Sequence, residues 1–123
     1  MFRVTCVWLG LVSISGIVSA QAERVDFNRD VRPILSDKCF ECHGPDAHER
    51  KGDLRLDVEE AAKADRGGYR VLAPGEPDES ELILRITSAE QEFVMPPPSS
   101  DKKLSPEEIE TLRRWVEQGA EWS

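Results

Sequence analysis

Residues 39–43 read Cys39-Phe40-Glu41-Cys42-His43, and the pattern Cys-x-x-Cys-His is typical of a c-type haem attachment site. Two cysteines three positions apart lie about one helical turn apart, so both thiols can reach one edge of a porphyrin and form thioethers with its vinyl groups. The histidine that follows is carried beneath the ring, where its imidazole can be the proximal iron ligand. The stretch therefore predicts one covalent haem c, attached at Cys39 and Cys42 and ligated by His43.

The same cysteines have three other interpretations, namely a structural disulfide, half of a zinc site and a thioredoxin-like redox pair. Zinc takes four ligands, and beyond the motif itself the chain after residue 22 offers only His48 or carboxylates. A thioredoxin-like motif follows a strand, whereas the apolar residues ahead of this one recur at helical spacing: Val31, Ile34 and Leu35. The context favours haem.

The first 22 residues have the composition of a secretory signal peptide. Arg3 supplies a minimal positive start, an apolar run from Val7 to Val18 follows, and small residues up to Ala22 offer a cleavage site. The run is too short for a membrane span, which takes about 20 apolar residues. We therefore predict a signal peptide over residues 1–22, export to the periplasm or the extracellular space, and a monohaem domain over residues 23–123.

The predicted domain is small and acidic. Removal of 22 of the 123 residues leaves 101, enough for one domain with a modest core that a covalent haem would help to fill. The whole chain has 16 basic and 24 acidic residues, and loss of Arg3 changes its formal charge from −8 to −9. This negative charge argues against nucleic acid or anionic membrane as partners. Its role is either to keep the protein soluble or to attract a basic redox partner.

A short helix is expected to lead into the haem motif, capped by Asp26 or Asn28. After the motif, Gly44-Pro45-Asp46 should end the helix and turn the chain. The carbonyl of Pro45 either accepts the Nδ1–H of His43, which would fix the ring as a ligand, or belongs to an ordinary turn.

Two further helices are expected in the middle of the chain. Asp57 with Glu60 gives a capping-box-like start to the first, and Gly67-Gly68 breaks it. Asp78 and Glu81 open the second. Its inward residues face either the haem or a plain protein core: Leu82, Ile83 and Ile86.

The end of the chain has the strongest helix signal. Ser105 is the N-cap, Pro106 takes the first helical position, Glu108 completes a capping box and Gly119 stops the helix. Its apolar face is formed by Ile109, Leu112, Trp115 and Val116. We expect this helix to pack against the N-terminal one.

The stretch Met95-Pro96-Pro97-Pro98 contains a second candidate ligand for the iron. Three prolines favour polyproline II, so Met95 stands on a stiff loop, and it is the only methionine after residue 22. A lone methionine is ordinarily core filler. Here its place on that loop, a helical segment away from His43, favours the sixth position on the iron, where a thioether raises the potential. His48, five positions after His43, is expected to be solvated.

Several stretches occur in order along nearly all of residues 23–123: Phe27 with Val31-Arg32-Pro33-Ile34-Leu35, Cys39 to Pro45, Lys51 to Asp57, Pro74-Gly75 with Ser80-Glu81-Leu82, Met95-Pro96-Pro97, and Leu104-Ser105 through Trp115 to Gly119-Ala120. Together they resemble the planctomycete-type cytochrome c domain of the class I cytochrome c superfamily. The resemblance implies an all-α fold, with N- and C-terminal helices packed around one covalent haem. It also implies Cys39 and Cys42 as thioether positions, His43 as the proximal ligand and Met95 as the distal one. In that family the module usually heads a longer secreted protein, so this chain is either a free-standing carrier or a truncated relative.

The function expected from these residues is single-electron transfer by an iron with both axial positions filled, without catalysis. The partner would then be another redox protein, of basic character if the acidic surface steers it. The alternative is a haem-based redox sensor or an enzyme module, peroxidase-like or gas-binding, normally part of a larger secreted protein. Peroxide chemistry needs a distal histidine or arginine over the iron, and no histidine remains for this position, although Arg70 or Arg85 is available.

Overall fold

The protein is described by a computed structural model. The described residues are 23–123 and, ahead of them, Gly10, Leu11, Ser13, Ser15 and Gly16. The predicted signal peptide lies almost wholly outside the described residues and stays a prediction. No described helix is long and apolar enough to cross a membrane.

The regular secondary structure of the described residues is helical. In chain order it comprises a π-helical turn Phe27–Val31, α1 Arg32–Lys38, α2 Glu59–Lys63, a 3₁₀ turn Pro77–Glu79, α3 Glu81–Ile86, a 3₁₀ turn Pro98–Ser100 and α4 Pro106–Glu117. Extended pairing within the described part is limited to isolated bridges, which join Arg70 to Asp65 and to Ser80. The predicted all-α class is confirmed at this level.

The N-terminal helix forms where the sequence predicts it, in two parts. The Asp26 carboxylate accepts the backbone N–H of Arg29 and caps the π-helical turn, which continues directly into α1. Phe27 and Val31 are buried on one side of the turn, and Ile34 and Leu35 continue that apolar side along α1. The helix ends at Lys38, so Cys39 is the first residue beyond it.

The two ends of the domain meet in an aromatic cluster, formed by Phe27, Trp115 and Trp122. The Phe27 ring centroid lies 5.6 Å from that of Trp115 and 4.5 Å from that of Trp122. Trp115 is buried and its indole N–H donates to the carbonyl oxygen of Glu121 at 2.8 Å. Each aromatic pair adds about 0.5–1.5 kcal/mol beyond its buried area. The predicted packing of the C-terminal helix on the N-terminal one is therefore confirmed.

Helix α4 begins with the predicted capping box. The Ser105 hydroxyl accepts the Glu108 backbone N–H at 3.1 Å, and the Glu108 carboxylate accepts the Ser105 backbone N–H at 2.9 Å. Gly119 follows the helix with φ +108°, a backbone conformation that favours glycine. The predicted apolar face packs on the core: Leu112, Trp115 and Val116 are buried and Ile109 is partly buried.

The predicted caps of α2 and α3 are wrong. Helix α2 begins at Glu59 without a side-chain cap, because the Asp57 carboxylate is paired with Arg55 at 2.6 Å. Helix α3 follows Ser80 and not Asp78. The buried Ser80 hydroxyl accepts the Ala73 N–H and donates back into the same loop, so it holds that loop and does not cap the helix.

Candidate functional site

The haem motif forms a single turn at the end of α1. The backbone N–H of Cys39 donates to the Leu35 carbonyl at 2.9 Å, and the N–H of His43 donates to the Cys39 carbonyl at 2.8 Å. The second bond has the spacing of an α-helical turn, so it supports the one-turn separation expected for Cys39 and Cys42. Both cysteines are free thiols and both are partly buried.

Gly44 allows the chain to leave this turn. A Cβ atom on residue 44 would overlap the backbone carbonyl oxygen of Phe40. Gly44 is itself buried, so the overlap cannot be relieved by a movement into solvent. Glycine is therefore required here for a close backbone approach and not for a positive φ.

A backbone carbonyl orients His43. Its Nδ1 lies 3.1 Å from the Lys51 carbonyl oxygen and donates to it, which leaves Nε2 as the nitrogen with a free lone pair. Burial lowers the pKa of His43, and the hydrogen bond to Lys51 opposes this shift in part. The imidazole is consequently neutral at pH 7, as a metal ligand must be.

The alternative in which Pro45 orients His43 is wrong. The Pro45 carbonyl oxygen accepts the Arg50 guanidinium at 3.2 Å instead. Lys51 takes this role because its segment folds back over the motif. The N–H of Lys51 donates to the Cys42 carbonyl, and the N–H of Leu56 donates to the His43 carbonyl, both at 2.7 Å. The only sequence signal for this return is the Gly52-Asp53 turn, whose two residues have positive φ.

Met95 is positioned by its neighbours in α3. Its backbone N–H donates to the Arg85 carbonyl oxygen at 3.1 Å. The Arg85 guanidinium lies over the Phe93 ring, 3.9 Å from its centroid, and its Nε donates to the Glu81 carboxylate at 2.9 Å. These contacts fix the loop before Met95. The position of Met95 is therefore set by α3, and not only by the prolines that follow it.

The prolines after Met95 do not form one continuous polyproline II segment. The Met95–Pro96 peptide is cis, and Pro97 has polyproline II dihedral angles, φ −63° and ψ 146°. The chain then enters the 3₁₀ turn Pro98–Ser100. The expectation of a stiff extended loop therefore holds at Pro97 and fails at Pro98.

One cavity of about 680 Å³ brings together the four predicted site residues, Cys39, Cys42, His43 and Met95. This volume falls within the range of about 300–1,000 Å³ that is usual for cofactor pockets. The walls between these residues are largely apolar, from Leu54, Leu56, Val71, Leu82, Ile86 and Pro96. Leu82 and Ile86 of α3 thus face the cavity, whereas Ile83 belongs to the plain core. Two thiols, a neutral imidazole and a thioether around an apolar chamber fit haem c.

The other interpretations of the cysteines fit less well. Burial raises the pKa of the Cys39 thiol to about 12, whereas a thioredoxin-like pair needs a thiol whose pKa is lowered. His48 is exposed and does not line the cavity. Across the described residues, no three His, Cys, Asp or Glu side chains are grouped so as to hold a metal ion such as zinc.

The cavity also has a cationic lining, of which the sequence alone indicated only Arg85. Its basic residues are Lys38, Lys51, Arg66, Arg85 and Lys102. Its acidic residues are Glu41 and Glu81. The excess of acidic residues over the whole chain concealed this local excess of positive charge.

A model of the family described as planctomycete cytochrome C matches residues 39–99, a stretch that begins at the first cysteine of the motif and includes Met95. No curated protein and no solved structure gave a match. Cytochrome c domains generally use haem to carry electrons. The chain thus contains a domain of the planctomycete cytochrome c family.

Proposed function

We propose that this protein is a monohaem c-type cytochrome that carries single electrons through a His/Met-ligated iron. Cys39 and Cys42 form the two thioethers, His43 is the proximal ligand and Met95 is the distal ligand. The observation that carries the proposal is the convergence of these four side chains on one apolar-walled cavity. When bound, haem supplies an iron that gains and loses one electron.

The protein's own contribution is to hold the ligands in place and to exclude water. The Lys51 carbonyl fixes the tautomer and orientation of His43, which strengthens Nε2 as a donor. The apolar wall, with Leu56 and Leu82 buried, lowers the local dielectric and restricts access of water. The contacts of Arg85 and Phe93 restrict the loop before Met95.

A carrier role without catalysis fits this ligand set, because two protein ligands leave no open position on the iron for a substrate. A gas-binding module would need that position open, and peroxide chemistry would in addition need a free distal arginine. Arg70 does not line the cavity, and its guanidinium donates to the Lys63 carbonyl at 3.1 Å. Arg85 does line it, but its guanidinium is paired with Glu81 and stacked on Phe93. The arrangement therefore favours the carrier over a peroxidase-like or gas-binding module.

The proposal includes export and a protein partner. The apolar leader supports cleavage near residue 22, with residues 23–123 acting as the haem domain in the periplasm or outside the cell. Haem c attachment on the outer face of the bacterial inner membrane agrees with export. The acidic surface supports a redox partner of basic character.

The pyridine haemochrome spectrum of protein exported from cells with a cytochrome c maturation system tests this function. We expect a c-type band and colour that survives acid-acetone extraction, because the thioethers are covalent. Cys39→Ser and Cys42→Ser should each weaken attachment, with His48→Gln as a control that leaves it unchanged. Colourless wild-type protein carrying two thiols or a disulfide would refute the proposal.

A further inference from the structure

The cations that line the cavity differ in whether a carboxylate already neutralises them. The Nζ of Lys38 lies 3.3 Å from the Asp37 carboxylate, and Arg85 pairs with Glu81 at 2.9 Å. The Nζ of Lys102 lies 3.7 Å from the Glu41 carboxylate. Three of the five cations therefore have a partner of opposite charge.

Lys51 and Arg66 are the two remaining cations of the cavity wall. Within residues 23–123, no carboxylate lies within ion-pairing distance of either side chain. Both line the cavity, and Arg66 is partly buried, whereas Lys51 is exposed. The Arg66 guanidinium makes its hydrogen bond at an exposed position on the rim, so its charge is available to an anion that enters the cavity.

Arg66 is presented to the cavity by a tight turn. The Asp65 carboxylate accepts the backbone N–H groups of Gly67 and Gly68, both at 2.9 Å. The Arg66 guanidinium then donates one N–H to the Gly52 carbonyl at 2.8 Å. A guanidinium has five N–H donors, so enough remain for a bidentate contact with a carboxylate. The bond to Gly52 also connects this turn to the loop whose Lys51 carbonyl orients His43.

The proposed occupant of the cavity brings carboxylates with it, because haem carries two propionate groups. An apolar wall makes their desolvation costly unless each meets a cation. Two cations without partners correspond to two carboxylates. We propose that Arg66 binds one haem propionate through bidentate hydrogen bonds and that Lys51 neutralises the other. This inference rests on the proposed function.

Three variants of the exported holoprotein test this site, namely Arg66→Gln, Arg66→Lys and the control Arg70→Gln. Arg70 is the matched arginine at the end of the same turn, exposed and absent from the cavity wall. The readouts are the midpoint potential and the propionate bending band in the resonance Raman spectrum. Arg66→Gln should lower the potential, because loss of a positive charge near the iron favours the ferric state, and should shift the propionate band. Arg66→Lys should keep most of the potential but still shift the band, since lysine cannot make the bidentate contact. Arg70→Gln should match the wild type.

The inference is overturned if Arg66→Gln has the potential and the propionate band of the wild type, or if Arg70→Gln changes both to the same extent. If Arg66→Gln does not accumulate with haem, the propionate band of Arg66→Lys is the deciding measurement. A shifted propionate band then supports the site, and an unshifted band contradicts it. Wild-type protein that binds no haem refutes the proposed function as well, whereas haem-loaded wild type with an unaltered Arg66→Gln refutes only the propionate site.

Discussion

Replacement of Arg85 by leucine should loosen the loop that carries Met95. Arg85→Leu keeps part of the aliphatic stem but removes the charge that stacks on Phe93 and pairs with Glu81. The bond between the Met95 N–H and the carbonyl of residue 85 involves only backbone atoms and should survive. The variant therefore tests the side-chain contacts of Arg85 alone.

The size of the effect follows from the cation–π contact, because the ion pair with Glu81 lies within α3 and does not join the helix to the loop. A cation–π contact is worth about 0.5–1 kcal/mol at an exposed site and about 2 kcal/mol when desolvated, and the Arg85 side chain is 33% exposed. The 3.4 Å contact with the Phe93 carbonyl adds little. The total is about 1–2 kcal/mol, or about a 5–30-fold shift in the equilibrium between the closed and open loop.

Titration of the ferric protein with imidazole measures this equilibrium, because imidazole would compete with the proposed ligand Met95 for the iron. Loss of the weak near-infrared sulfur-to-iron band reports displacement. Arg85→Leu should bind imidazole about 5–30-fold more tightly than the wild type. Arg113→Leu is the control, since Arg113 makes an i,i+4 ion pair with Glu117, at 3.8 Å, on α4 outside the cavity. Equal imidazole affinity in Arg85→Leu and the wild type would refute the reasoning.

Three further changes give separate tests. Met95→Ala should abolish the near-infrared band and lower the midpoint potential, and an unchanged potential would rule out thioether ligation. Gly44→Ala should reduce the yield of haem-loaded protein, because the added Cβ overlaps the Phe40 carbonyl; a wild-type yield would mean that the turn can relax. Ser80→Ala should lower the free energy of unfolding by about 1–3 kcal/mol, measured with urea, since it leaves the Ala73 N–H without its partner; a smaller loss would mean that water replaces the hydroxyl.

The sequence predicted elements whose determinants are local. The capping box and the apolar spacing of α4 lie within a few residues of one another, so the helix could be located without knowledge of the rest of the chain. The caps of the shorter helices failed because side chains that can cap a helix also make other contacts. Asp57 pairs with Arg55, and Ser80 bonds to the Ala73 loop.

The haem motif and Met95 could be proposed as site residues from the sequence because their residue types are rare and chemically distinctive. The supporting contacts could not be proposed, since they depend on how distant segments fold together. Every residue has a backbone carbonyl, so nothing in the sequence distinguished Lys51 from Pro45 as the partner of His43. Likewise, the position of Arg66 on the cavity wall follows from a turn that the sequence indicated only as a break after α2.

The aromatic cluster between the chain ends makes the domain its own fluorescent reporter. Trp115 and Trp122 are the only tryptophans in residues 23–123, and both rings belong to that cluster. Indole emission from the domain therefore originates at a single junction, where α4 meets the turn at Phe27. A shift of the emission toward longer wavelength would report separation of the two ends, and absorbance of the haem would report its iron ligands. The two signals, followed together during denaturation, would show whether the ends separate before or after the proposed ligand Met95 leaves the iron.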